Sequence, residues 1–294
     1  MNKSVSKICQ IPFYVLVEYL SQNELILFSE VHPKISAELN NKPRLICSIN
    51  DVKMGYALMK RFKHVKFIVD QPVKLTSYHY KLTNNIVSIR LTRNNSIGDA
   101  QLGNFKNLTS LDISGYNCMI TNEGVANLSN LKSLTLNNNR YVSDISSLTN
   151  LTSLSLKGNN SITDKGLVNL NKLVHLDLTF NQLIHVGTLR KLPKLNSLNI
   201  QYESLINSDD LLTLTNLTRL DIRMTTMINF QGLKYLINLT ELFVSTIYRI
   251  PEVPYLPNLK KIHIFDNFLK TFVKDRDEKV IKKINPQVEV VCGS

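Results

Sequence analysis

Nine times between Ile86 and Asn267 the chain repeats one phrase, an apolar residue at relative positions 1, 4 and 6. The clearest copies run Leu131, Leu134, Leu136, then Leu151, Leu154, Leu156, then Leu173, Leu176, Leu178. First positions fall at Ile86, Leu108, Leu131, Leu151, Leu173, Leu195, Leu217, Leu239 and Leu259, a period of 20 to 23 residues. Positions 4 and 6 alternate with polar neighbours, as a half-buried strand requires. A further apolar set follows in each copy, as in Leu183, Val186, Leu189 and Leu192, where the chain turns back. One such coil cannot bury its own apolar face, so neighbouring coils must stack.

The phrase, completed by asparagine at position 9, resembles the leucine-rich repeat family. That resemblance implies an α/β solenoid, a curved parallel sheet of about 9 to 11 coils. The asparagine side chain can bond the backbone of the next coil, which accounts for Asn94, Asn139, Asn159, Asn181 and Asn267. Tyr116 (with Asn117 displaced by one), Glu203, Thr225 and Ile247 take its place elsewhere, so repeats 6 to 8 should have a less regular ladder.

Apolar residues make up 43% of the 294, with no run of 18, so no membrane-spanning helix is expected. The opening apolar run is interrupted by Gln10, Pro12 and Glu18 and has no small-residue cleavage site, unlike a secretion signal. Cys9, Cys47, Cys118 and Cys292 are far apart, with no zinc-type spacing and no cysteine-rich end cap. A reducing, cytoplasmic location is the reading. Asn107, Asn150, Asn216 and Asn238 each begin an Asn-Leu-Thr glycosylation match. All four enter a strand in the same phase, so repeat structure explains them better than sugar does.

Residues 1–50 differ in kind. Val15, Leu16, Tyr19 and Leu20, then Leu25, Ile26 and Phe28, then Val31 and Ile35 with Leu39 form three apolar segments at helical spacing. Pro12 suits the first turn of a helix, and Ser21 to Asn23 can cap the second. This segment resembles an F-box, with Ile11-Pro12 standing for its opening Leu-Pro. The usual tryptophan of the third helix is missing, since the chain has no Trp. The resemblance implies docking onto a Skp1-type adaptor of a cullin ubiquitin ligase through Pro12, Val15, Leu16, Tyr19, Leu20, Leu25 and Phe28. The alternative is that these helices only cap the first coil. Ile120-Thr-Asn-Glu-Gly-Val125 and Ile162-Thr-Asp-Lys-Gly-Leu167 resemble the turn found in F-box repeat proteins, whereas residues 139–151 and 181–195 look more like phosphatase-regulating repeat proteins.

The expected organisation is therefore an F-box-like helical segment at 1–50, a capping coil at 51–85, repeats at 86–270 and a terminal cap at 271–294. Val65, Phe67 and Val69 alternate as a strand of the capping coil. A helix over 274–283, stopped before Pro286, and a last strand over 288–291 should close the other end.

Function on such a scaffold belongs on the concave sheet, at positions 3, 5 and 7 of each phrase. Early coils offer small groups there, such as Ser110, Asp112 and Ser114. Later ones offer His175, Asp177, Arg219, Asp221, Arg223, Glu241, Phe243, His263 and Phe265, joined at position 8 by Phe180 and Tyr202. Arginine and exposed aromatics dominate binding hot spots, so a protein partner is expected there, centred on Arg219, Arg223, Phe243, His263 and Phe265. The competing view is a solvated sheet carrying assorted polar groups.

His175 and Asp177 share a face, but no nucleophile motif, phosphate loop, HExxH or paired-cysteine site accompanies them, so neither an enzyme nor a cofactor is expected. Of the formal net charge of +12, much lies in residues 51 to 93, where nine Lys and Arg face only Asp51 and Asp70. A basic band could meet RNA, anionic lipid or an acidic protein surface. It lacks the aromatic stacking pattern of an RNA reader, so nucleic acid is not the expected partner. The reading is a monomeric recognition protein that brings a substrate to a ubiquitin ligase. The alternatives are a plain repeat scaffold of the phosphatase-regulatory kind and a bacterial effector imitating host F-box proteins.

Overall fold

A computed structural model describes residues 24, 26, 29, 33–41, 45–62, 64–70, 80–92, 97–116, 119–202, 207–225, 228, 230–245, 253–265 and 274–293. Twelve strands form one sheet in chain order: β1 (Ile46–Ser48), β2 (Lys66–Val69), β3 (Ile86–Arg90), β4 (Ser110–Asp112), β5 (Ser133–Thr135), β6 (Ser153–Ser155), β7 (His175–Asp177), β8 (Ser197–Asn199), β9 (Arg219–Asp221), β10 (Glu241–Ser245), β11 (Lys261–Phe265) and β12 (Glu289–Gly293). Each pairs in parallel with its sequence neighbours, the arrangement that stacked coils of equal length demand.

The register follows the repeat phase. Position 4 pairs with position 4 through Leu111, Leu134, Leu154, Leu176, Leu198, Leu220 and Leu242, a column of buried side chains beneath the sheet. Positions 1 and 6 and the returning apolar set complete one continuous core from Ile26 to Val288.

The asparagine ladder exists but runs the other way from the expectation. Asn139 Nδ2 donates to Ile113 O at 2.9 Å, Asn159 Nδ2 to Leu136 O and Asn139 O at 3.0 Å, and Asn181 Nδ2 to Asn159 O at 2.9 Å. Each amide thus reaches back to the preceding coil, because its own Oδ1 is held forward by the N–H groups of the turn that follows, as with Tyr141 and Val142 on Asn139. Thr225 is too short for that reach, and its hydroxyl donates within its own coil, to Ile222 O at 2.9 Å. The other positions in the ladder argument, Asn94, Asn117, Glu203, Ile247 and Asn267, lie outside the described residues.

A second ladder serves the other edge of the sheet. Asn107, Asn150, Asn216 and Asn238 donate from Nδ2 to a carbonyl of the preceding coil, at 2.8 Å for the first three and 2.9 Å for the last. Those carboxamides are structural, which supports the repeat explanation of the Asn-Leu-Thr matches.

At the start of the chain the sheet begins at Ile46, ahead of the boundary expected at residue 51. A helix over Pro33–Asn41 buries Ile35 and Leu39, and Ile26 joins the same core. The helix over Val52–Arg61 is capped by Asp51, which accepts from Met54 N at 2.7 Å. Pro12, Val15, Leu16, Tyr19, Leu20, Leu25 and Phe28 lie outside the described residues. At the other end, a helix over Lys274–Ile284 buries Ile281, and the buried Asn285 ties it down by accepting from Leu256 N at 2.9 Å and donating to Pro254 O.

Among the described residues, the charges of 51–93 are spread over different elements. Lys53 and Lys60 are exposed on the helix over Val52–Arg61, whereas Arg90 lies on β3 between Asp70 and Asp112, at 3.9 and 3.2 Å. The Arg61 guanidinium is turned onto Ser29 O.

Candidate functional site

Three adjacent strands, β9, β10 and β11, build the cluster. Parallel register sets Glu241 beside Arg219 and Lys261, Phe243 beside Asp221 and His263, and Ser245 beside Phe265. These alternate residues point to the open face of the sheet, since their intervening neighbours Leu242, Val244, Ile262 and Ile264 are in the core.

Phe243 is the hub. Its ring stacks on His263, with centroids 4.2 Å apart and planes 3° from parallel, and lies 6.4 Å from Phe265. The Arg219 guanidinium covers it at 4.2 Å, while Arg223 lies 4.1 Å from Phe265 and 5.8 Å from Phe243. Phe243 was expected to be an exposed aromatic. It is only 7% exposed, because two guanidiniums and an imidazole cover a ring that a flat sheet would leave open.

Carboxylates fix the cations in turn. Glu241 pairs with Arg219 and, at 2.9 Å, with His263 Nε2, so one carboxylate holds both groups that sandwich the ring. Arg223 donates from Nε to Asp221 at 2.9 and 3.1 Å and from Nη2 at 2.6 Å, with Gln201 Oε1 at 3.4 Å as a further acceptor. Lys261 Nζ meets Glu289 at 3.0 Å. The Arg219 side chain keeps 50% of its surface in solvent and is the most open of these cations.

The structure therefore brings together Arg219, Asp221, Arg223, Phe243, His263 and Phe265. It adds Glu241, which the sequence reading placed on this face but left out of the site. The available signal was its position between two cationic neighbours, Arg219 and Lys261. His175 and Asp177 stand apart, on β7. Asp177 accepts from Thr179 N at 2.9 Å and Thr179 Oγ1 at 2.6 Å, closing the turn after its strand. Asp112 does the same with Ser114. Position 5 is thus partly a turn-closing position, which explains its recurrent Asp and Asn.

Tyr202 stacks on Phe180, with centroids 4.2 Å apart and planes 10° from parallel. Both lie at position 8, where the backbone is left-handed: φ is 55° at Phe180 and 58° at Tyr202. Asn138, Met224, Gly115 and Gly158 share this conformation at the same phase. Both rings remain exposed at the edge where the strands end, adjoining the cluster through Tyr202 N, which donates to Arg223 O at 3.1 Å.

Among the described residues no group of three or more His, Cys, Asp or Glu side chains is placed to hold a metal ion, and no helix is long and apolar enough to cross a membrane. Cys47 is buried under β1, and burial pushes its thiol up to about 11, so it is kept protonated and unreactive.

The family profile for the Leucine Rich repeat matches residues 106–129 and 147–170. Among solved structures, an internalin of Listeria monocytogenes str. 4b F2365 is similar at 19% identity, over 88% of this chain and 84% of its own, with a TM-score of 0.55. An internalin C2 of the same strain is 24% identical over 67% of this chain and 85% of its own, at 0.46. A yeast structure of the Rad7 and Elc1 complex is 16% identical over 68% and 69%, at 0.48. Those two scores add nothing to the assignment. A search of curated proteins returns no match. With the strand order and register, the profile and the first of these likenesses make the fold a leucine-rich repeat solenoid.

Proposed function

We propose that the chain is a non-enzymatic recognition protein that holds a protein partner on the C-terminal half of its concave sheet. The observation that carries this is the Arg219–Phe243–His263 stack, locked by Glu241. Side chains already ordered before binding lose little rotamer entropy when a partner arrives. Arginine over aromatics is also the composition of binding hot spots. Nothing in the arrangement calls for catalysis: the histidine and carboxylates hold one another rather than a nucleophile.

The N-terminal segment extends the reading. Its F-box-like residues would tether the chain to a Skp1-type adaptor, and the concave sheet would present its ligand to a ubiquitin ligase in the cytoplasm or, for an effector protein, in a host cell. The capping role is the second reading, favoured by Ile26, Ile35 and Leu39 lying in the solenoid core. The test is titration calorimetry of the full chain, as a monomer, against a Skp1-type adaptor, alongside Leu16→Asp/Leu20→Asp. Submicromolar binding that the double variant loses, with its melting unchanged, supports recruitment. No binding by the folded chain leaves a plain repeat scaffold.

A further inference from the structure

Charge on this solenoid is sorted by repeat phase. The stretches 103–109, 126–132, 145–152, 167–174, 189–196, 211–218, 233–240 and 253–260 lead successive coils into their strands, and they contain no Asp or Glu. They carry the exposed lysines Lys106, Lys132, Lys172, Lys191, Lys194, Lys234 and Lys260. Acids occupy other phases: Glu241 at position 3, Asp112, Asp177 and Asp221 at position 5, and Asp99, Glu123, Asp144, Asp164 and Asp209 in the short helices and turns beyond the strands. One long edge of the molecule is therefore cationic, and these lysines have no carboxylate partner among the described residues. Long-range attraction of an anionic ligand follows from such an arrangement.

The same edge carries a groove of about 650 Å³ spanning five coils, from Val174 to Lys260. Its walls include Lys194, Lys260 and the carboxamides of Asn216, Asn238 and Asn258. Each of those amide nitrogens is committed to a carbonyl of the preceding coil, at 2.8, 2.9 and 2.8 Å. Their Oδ1 atoms are left as acceptors with no partner among the described residues. The groove thus offers a row of acceptors between ammonium groups. A phosphodiester backbone would bring only acceptors to that row. A polypeptide brings both what is needed, N–H donors along its backbone and carboxylates on its side chains.

We propose that this edge is a second binding surface, distinct from the concave cluster, and that it takes an extended acidic peptide segment. Its carboxylates would meet Lys194 and Lys260, and its backbone N–H groups Asn216, Asn238 and Asn258. Five coils at roughly 4.8 Å spacing span about 19 Å, the length of about six extended residues.

The test is fluorescence anisotropy of a labelled octaglutamate titrated with the full chain, at low and at physiological salt. Lys194→Glu/Lys260→Glu should weaken binding by about tenfold or more, while Lys53→Glu/Lys60→Glu, an equal change in net charge on the helix over Val52–Arg61, should leave it within about twofold. All four lysines are exposed, so both variants should keep the far-ultraviolet spectrum of the parent. Equal losses in the two variants would reduce the effect to net charge and overturn the proposal. So would binding of a single-stranded oligoribonucleotide without binding of the peptide. Concentration-dependent dimerisation in light scattering, lost in Lys194→Glu/Lys260→Glu, would assign the edge to a second copy instead.

Discussion

Asparagine appears in two phases of this repeat and does two different jobs, set by burial. Asn159 is fully buried, donates to two carbonyls of earlier residues and accepts from Ser161 N and Ile162 N at 3.0 and 2.9 Å. Alanine there would leave several backbone groups in the core with no partner and no water. Asn238 makes its one bond at the exposed edge, where water can replace it. Asn159→Ala should therefore cost about 2–4 kcal/mol and Asn238→Ala less than about 1 kcal/mol in urea unfolding. Similar costs at the two positions would refute the distinction. The same scale shows what pattern reading recovers. The phase of Asn159 told that it was structural, but the direction of its bond depended on which of its two ends the following turn would hold. The burial of Phe243 was likewise invisible, because a period assigns a side chain to a face and says nothing of which neighbours fold over it.

At the scale of elements, the helices between strands are four or five residues long in the coils from Asp99 to Leu211, too short to persist alone. They are held by caps that cross from coil to coil. Asp99 accepts from Thr121 N and Oγ1 at 2.8 and 2.6 Å, and Asn122 accepts from Ser143 N and Asp144 N at 2.8 and 3.0 Å. Asp164 accepts from His185 N at 2.8 Å and Thr188 Oγ1 at 2.6 Å, and its other oxygen meets His185 Nδ1 at 3.0 Å. Partial burial pushes the Asp164 carboxyl up, but the bonds from Thr188 and His185, with the imidazolium charge, outweigh it and hold the group below its ordinary 3.8. A carboxyl lowered on folding stabilises the fold above its unfolded value, and that contribution disappears as pH falls through the folded value. The melting temperature of Asp164→Asn should thus lie below that of the parent at pH 7, by the equivalent of under about 1 kcal/mol for so accessible a cap, and the gap should close in acid below pH 3.8. A gap unchanged between neutral pH and pH 2 would show that the charge is not what matters. The sequence showed the turns at 120–125 and 162–167 but not these caps. Their reach into the neighbouring coil depends on how far the coils are offset, which spacing alone does not give.

A solenoid has no contacts between distant coils, so its stability is a sum of coil and interface contributions and its weakest interface decides how it opens. Between β4 and β9 the strands pair over three residues each, and from β4 to β7 the buried asparagines, each reaching back one coil, reinforce them. From β10 to β12 the pairing lengthens to five residues. The coil of β9 has neither advantage: Thr225 bonds only within it, and β9 meets both neighbours over three positions. The fold and its one open face were legible from the period, because every coil repeats the same burial. This weak joint was legible too, as the missing asparagine at position 9, but the longer strands beyond it were not. Hydrogen exchange in moderate urea should accordingly find two separately protected blocks, one over β4 to β7 and one over β10 to β12. The amides of Ile222 and Thr225 between them should exchange first. Because the binding cluster links the coil of β9, through Arg219, to β10, through Phe243, a partner that grips both should raise protection at Ile222 and Thr225 more than in either block. Uniform protection along the whole sheet, with or without a partner, would mean that the coils open as one unit and that the joint has no separate existence.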